Sequence, residues 1–286
     1  MAATGIVLVL LAAGCSGGAN SGSGSDRPVQ AVASFYPLVE VTAAVGGERV
    51  GVSNLTPVGV EPHDIELSPR QIDRIAGADL LVYLGGGFQP AIEEAARGAK
   101  LAVDASRGLP VDGGDPHVWL DPVLFEQVVG IVEAALIQVD PAGADGYRAR
   151  AAEYRTRLEQ LDADYRAGLA DCDRRVIVTA HEAFGYLARR YNLEQLAIAG
   201  ISPDAEPDPR RLAELTDLVR QRGVTTVFTE ELVSPKVAQT LAREAGVKTA
   251  VLHTLEGLES GGGTGNDYFS LMRDNLAALR EALGCR

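Results

Sequence analysis

Residues 142–170, AGADGYRARAAEYRTRLEQLDADYRAGLA, contain no proline and are dense in Ala, Arg, Glu and Leu. Tyr147, Ala151, Tyr154, Leu158, Leu161, Tyr165 and Leu169 recur in this stretch at intervals of three and four. That spacing places them on one face of an α-helix. At about 1.5 Å per residue, a helix of this extent can run the full length of a two-lobed molecule. The stretch therefore reads as a rigid spine, and what lies on either side of it follows one pattern.

Before the spine, short aliphatic or β-branched runs at 29–34, 50–55, 80–84 and 101–103 alternate with helical segments at 37–45, from Pro69, and at 88–97. Ser68-Pro69 and Asp121-Pro122 each supply an N-cap residue followed by proline at the first helical position. After the spine the alternation restarts, with strands at 175–179, 195–199, 224–229 and 247–252 and helices at 183–191, 210–222, 236–245 and 268–283. Strands separated by helices imply parallel βαβ units. The expected fold class is α/β: two lobes, each a mostly parallel sheet flanked by helices, joined by the long spine helix. The expected division is an N-terminal lobe over 29–141, a linking helix over 142–171 and a C-terminal lobe over 172–286.

The N-terminal residues read differently. An apolar run, Gly5 to Leu11, leads into Ala12-Ala13-Gly14-Cys15 and then a Gly/Ser tract. The run is too short to span a bilayer, and the small residues before the cysteine resemble a lipoprotein cleavage site. Residues 1–14 are thus expected to be a signal peptide, Cys15 the lipidated residue, and 15–28 a flexible tether. No Lys or Arg precedes the run, which leaves the start of the reading frame open. Assigning Cys15 to lipid leaves Cys172 and Cys285 as a pair in an oxidising compartment, where a disulfide is expected. Two free thiols are the alternative, because sequence does not show whether the two cysteines are close enough to bridge.

The 286 residues carry 39 acidic and 26 basic side chains, a net charge of -13. This balance repels nucleic-acid phosphates and suits a cationic ligand, though a solvated acidic surface would look the same. The four histidines are more specific. His63, His117, His181 and His253 each lie near the end of an expected strand or open a helix. Ligands in open α/β sheets bind outside the carboxyl ends of strands, so the distribution points to one shared site.

Three of them stand in longer motifs: Glu61-Pro62-His63-Asp64, Pro116-His117-Val118-Trp119-Leu120-Asp121-Pro122 and His181-Glu182-Ala183-Phe184-Gly185-Tyr186. With Ala199-Gly200-Ile201-Ser202-Pro203, Glu206-Pro207, Phe228-Thr229-Glu230 and the segment Tyr268 to Leu279, they closely resemble the bacterial metal-binding lipoproteins of cluster A-I. These are the solute receptors of zinc and manganese ABC importers. The resemblance implies that His63, His117 and His181 are metal ligands. It places a carboxylate ligand in the loop Leu252-His253-Thr254-Leu255-Glu256-Gly257-Leu258, where Glu256 is the choice and His253 the alternative. A carboxylate offsets part of a divalent charge held away from water, which favours Glu256.

Three imidazoles and one carboxylate suit Zn²⁺. Manganese receptors of this kind carry a glutamate at the position of His181, so Mn²⁺ fits less well. Each ligating imidazole needs its other nitrogen held, and Asp64, Glu182, Glu206 and Glu230 are the candidates. The His-rich loop that many such receptors carry between the first two motifs is reduced here to Leu109-Pro110-Val111-Asp112-Gly113-Gly114-Asp115. The implied function is capture of Zn²⁺ between the lobes and delivery to an ABC permease with its ATPase. The expected location is the cell envelope, lipid-anchored outside the cytoplasmic membrane or periplasmic, and the expected state a monomer without nucleic acid. The alternatives are a receptor for manganese or another divalent metal, an adhesin of the same family, and a zinc hydrolase with Glu182 or Glu61 as base. A hydrolase needs an open coordination position, which a fourth ligand removes.

Overall fold

A computed structural model describes residues 1–2, 27–111, 114–203, 208–257 and 267–286. Cys15, Glu206 and Leu258 lie outside the described residues.

The first half runs β1 (Val29–Ala33), α1 (Tyr36–Gly46), β2 (Val50–Asn54), α2 (Pro69–Gly77), β3 (Leu80–Tyr83), α3 (Pro90–Ala95) and β4 (Ala102–Asp104). All pairings are parallel, in the order β2-β1-β3-β4. The start of α2 follows from its sequence: the Ser68 side chain accepts from the Gln71 N–H, the Gln71 side chain returns the bond, and Pro69 needs no partner.

Two helices then lie side by side, α4 (Pro122–Val139) and α5 (Ala144–Gly168), separated by a 3₁₀ turn at Pro141–Gly143. The 25 residues of α5 span about 37 Å at the usual rise. Tyr147, Ala151, Tyr154, Leu158, Leu161 and Tyr165 form its buried face, as the spacing predicts, and Leu169 is buried just beyond its end. The helix packs on α1 and α4, and across the molecule on the last helix. The element missing from the sequence reading is α4, of which only the Asp121-Pro122 start is marked. The helix is apolar on most faces because it is wrapped by α1, β3, β4 and α5. Its buried residues Leu124, Phe125, Val128, Val129, Val132, Ala135 and Leu136 nevertheless recur at the helical period, with Gln127, Ala134 and Gln138 exposed on the opposite side, so its face is a local pattern like that of the spine.

The second half repeats the first: β5 (Val176–Thr179), α6 (Gly185–Arg190), β6 (Glu194–Ala197), α7 (Pro209–Gln221), β7 (Thr226–Thr229), α8 (Lys236–Ala245), β8 (Lys248–Val251) and α9 (Tyr268–Leu283). Its sheet is parallel in the order β6-β5-β7-β8, the same permutation as the first. Cys172 and Cys285 are disulfide-linked, tying the chain after α5 to the second residue beyond α9.

The lobes share one core. A single cluster of buried side chains includes Phe35, Leu84 and Phe125 from the first half, Leu158 and Tyr165 from the spine, and Phe184, Phe228, Leu252 and Met272 from the second. The start of α9 belongs spatially to the first lobe. Tyr268 stacks on Phe125 at 4.7 Å between centroids, and its hydroxyl donates to Trp119 O at 2.7 Å. Both sheets point their carboxyl ends at the seam between the lobes, where the histidine loops meet.

Candidate metal centre

His63 rides on the loop after β2, held from three sides. Gln71 Nε2 donates to Leu55 O at 2.8 Å, buried Gln89 donates to Pro62 O at 3.1 Å, and Phe88 meets the His63 ring edge-on at 4.7 Å. Pro62 keeps the residue before it extended. His117 ends the loop after β4. One oxygen of Asp115 accepts from the His117 N–H at 3.0 Å and lies 2.7 Å from its Nδ1, while Tyr186 of the other lobe donates to Asp115 O at 3.0 Å. His181 follows β5 and Glu230 follows β7, so strand pairing delivers the carboxylate to the imidazole. Glu230 accepts from the His181 N–H at 3.1 Å and lies 2.5 Å from Nδ1.

With both Nδ1 atoms occupied, the Nε2 atoms point at a common space. His117 and His181 Nε2 are 3.3 Å apart. Glu256 Oε1 is 3.0 Å from His63 Nε2, 3.0 Å from His117 Nε2 and 3.6 Å from His181 Nε2. All four donor atoms lie within 4.8 Å of one another. A tetrahedron with arms of 2.0–2.1 Å has edges of about 3.3 Å, so these separations suit the coordination of a small divalent cation. The second oxygen, Glu256 Oε2, is buried and has no hydrogen-bond partner among the described residues. An orphaned carboxylate oxygen beside three imidazole nitrogens is costly without a cation.

The loop that carries Glu256 is fixed residue by residue. Leu252 N–H donates to Thr229 O at 2.9 Å. Asn275 of α9 accepts from the His253 N–H at 2.7 Å and donates to His253 O at 2.8 Å. Trp119 Nε1 donates to Thr254 O at 2.7 Å. Leu255 has φ 58° and is buried in the shared core. That left-handed conformation costs a non-glycine residue roughly 1–2 kcal/mol and persists because the packing holds it. A Cβ on Gly257 would stand 3.1 Å from Leu232 Cδ1, so the chain passes close to the opposite wall.

His253, the alternative to Glu256, lies elsewhere: its Nδ1 contacts Glu231, and it is not among the four converging residues. Of the expected imidazole partners, Glu230 touches a ring, Asp64 and Glu182 are exposed, and Glu206 falls outside the described residues. Asp115 is the partner that sequence reasoning missed, although Asp115-Pro116-His117 places a carboxylate two residues before the imidazole. Trp119 and Asn275 were also missed as loop supports.

Burial penalises the Glu256 charge, but hydrogen bonds from His117, His181 and His63 outweigh it and hold the carboxyl well below its usual range. Burial likewise opposes the His181 charge, yet Glu230 and then Glu256 raise it to about 10. His117 is raised despite burial by Asp115 and Glu256. Burial, reinforced by the Glu256 charge, pushes Glu61 up to about 8.

Residues 31–282 match the family described as zinc-uptake complex component A, periplasmic. The high-affinity zinc uptake system protein ZnuA of Bacillus subtilis is 37% identical over 302 residues, covering 96% of this chain and 94% of that protein. The chain belongs to the ZnuA family. Zinc-binding protein AdcA of Streptococcus pyogenes is 38% identical over 289 residues, and this chain spans 56% of its length. Among solved structures, the Zn(II)-bound ZnuA-like domain of Streptococcus pneumoniae AdcA superposes with a TM-score of 0.80 at 37% identity, covering 90% of this chain and 99% of that one. The laminin-binding protein Lmb of Streptococcus agalactiae, described as having adhesin and metal-transporting activity, gives 0.84 at 34% identity, with coverage of 89% and 99%. The two-lobed α/β architecture with its linking helix is thus the family's fold.

Proposed function

We propose that this protein is the zinc receptor of an ABC importer and holds one Zn²⁺ through His63, His117, His181 and Glu256. The observation that supports this most is the convergence of three Nε2 atoms and one carboxylate oxygen, two of the rings already held at Nδ1 by Asp115 and Glu230. Those carboxylates leave Nε2 free to bind metal and raise ring basicity. Family membership supports zinc as the cargo and a binding role rather than an enzymatic one.

The division into lobes over 29–141 and 172–286 with a linker over 142–171 is part of this reading, with α9 bracing both lobes. So are cleavage before Cys15, its lipidation, a tether over 15–28 and a monomeric receptor at the cell envelope. A relative described as a zinc-binding lipoprotein, AdcA of Streptococcus pneumoniae, supports the anchor. Zinc content and chelator competition test the site: one Zn²⁺ per chain is expected, with Glu256→Gln weakening it and His253→Ala leaving it near the parent value. The reverse ranking moves the fourth ligand to His253. Ester or peptide hydrolysis by the zinc-loaded protein, abolished in Glu182→Gln, would replace the receptor reading with an enzyme.

A further inference from the structure

The loop 252–257 belongs to the C-terminal sheet by sequence, yet its supports come from two distant places. Asn275, fully buried, has both amide atoms on the backbone of His253. Because the backbone N–H must meet the side-chain oxygen and the backbone carbonyl the side-chain nitrogen, the amide orientation is dictated. One residue on, Thr254 O takes the indole N–H of Trp119, which stands two residues after His117. Tyr268 of α9 donates to Trp119 O, so the two supports are joined to each other. Leu255 then turns left-handed into the core, and Glu256 emerges against the three imidazoles.

We infer that Asn275 and Trp119 are positioning residues for the metal site, which preset the Glu256 carboxylate so that no loop ordering accompanies capture of the ion. This rests on the reading of Glu256 as a ligand. Neither residue has a donor atom in the converging set; Asn275 acts through the loop, and Trp119 through the loop by its indole N–H and on His117 by ring contact at 5.1 Å, which a phenylalanine ring would keep. Outer supports of metal ligands commonly change affinity by about 10–100-fold when removed, and a loop freed here must be ordered again at each binding event.

The test is a double-mutant cycle on zinc affinity, read by chelator competition, with thermal unfolding of the ion-free protein followed in parallel. Asn275→Leu removes both amide bonds, and Trp119→Phe removes the indole N–H while keeping an aromatic ring. Each is combined with Glu256→Gln. The expected result is a loss of about 10-fold or more in zinc affinity for each single variant and no further loss in the Glu256→Gln background. Equal losses in both backgrounds, or no loss in either, would overturn the proposal by showing a purely structural role. If Asn275→Leu does not fold, Trp119→Phe decides by the same criterion. Undiminished affinity in Glu256→Gln itself would strike the ligand assignment, a failure recognisable because it needs neither Asn275 nor Trp119 to be changed.

Discussion

Both lobes aim an imidazole inward with a carboxylate, and they assemble that pair over different distances along the chain. In the first lobe Asp115 and His117 are two residues apart in one loop. In the second, His181 and Glu230 are 49 residues apart and meet because β5 and β7 are neighbours in the sheet. Each carboxylate bonds both the ring Nδ1 and the backbone N–H of its histidine. The same chemical device can therefore be local, independent of the sheet, or non-local, created by the fold. His63 shows a third solution, a partly buried ring held by packing and a tethered loop.

The largest effect expected from this contrast is on the ligands themselves. Structural zinc sites bind with about 10–16 kcal/mol, or about 3 kcal/mol for each of four ligands, close to 10²-fold in affinity. His181→Ala should lose at least that much in chelator competition, and His63→Ala less, because its loop is the more exposed wall. Equal losses would show that burial does not rank the ligands.

Next come the carboxylates. Glu230→Gln and Asp115→Asn should each weaken zinc by about 10–100-fold, but only Glu230→Gln should also lower the melting temperature of the ion-free protein, since it joins two strands. A matching drop for Asp115→Asn would erase the local versus non-local distinction.

Proton linkage sharpens the comparison further. With His181 raised from 6.5 to about 10, its proton stabilises the ion-free fold fully below about pH 6.5, and this contribution disappears as pH rises through about 10. A metal needs the neutral ring, so zinc must displace that proton. Zinc affinity should keep rising from pH 6.5 to 9, and calorimetry in buffers of different ionisation enthalpy at pH 7.5 should show proton release. Glu230→Gln should reduce the release. An affinity that levels off near pH 6.5 would contradict the raised state of His181.

The smallest effect on zinc is expected from the disulfide, which staples the second lobe alone. Cys172→Ser with Cys285→Ser should lower stability by up to about 4–5 kcal/mol in the chain-entropy model while leaving affinity nearly unchanged below the melting range. A large loss of affinity would mean that α9 transmits strain to the Glu256 loop.

How legible these features were in the sequence follows the same division. The spine face from Tyr147 to Leu169 and the cap at Ser68 are local patterns, and the structure reproduces them. The buried face of α4, Leu124 to Leu136, is a local pattern of the same kind, although only the Asp121-Pro122 start of that helix was marked. Glu230 could be suspected from its motif, whereas Asp115 sat two residues before His117 and was passed over in favour of exposed Asp64. The roles of Asn275 and Trp119 depend on contacts spanning 22 and 135 residues, which no local pattern encodes.

Trp119 is the only tryptophan in the chain, and its ring lies 5.1 Å from that of His117. An excited indole passes an electron readily to a protonated imidazole and poorly to a neutral one. The expected outcome is an optical gauge at the seam between the lobes: ultraviolet emission should brighten when zinc displaces a proton from the site, and emission unchanged on zinc addition would show that the Trp119–His117 contact does not report loading. Excited at the red edge of the indole band, beyond the absorption of the eight tyrosines, Trp119 would let loading be followed in the unlabelled protein in real time.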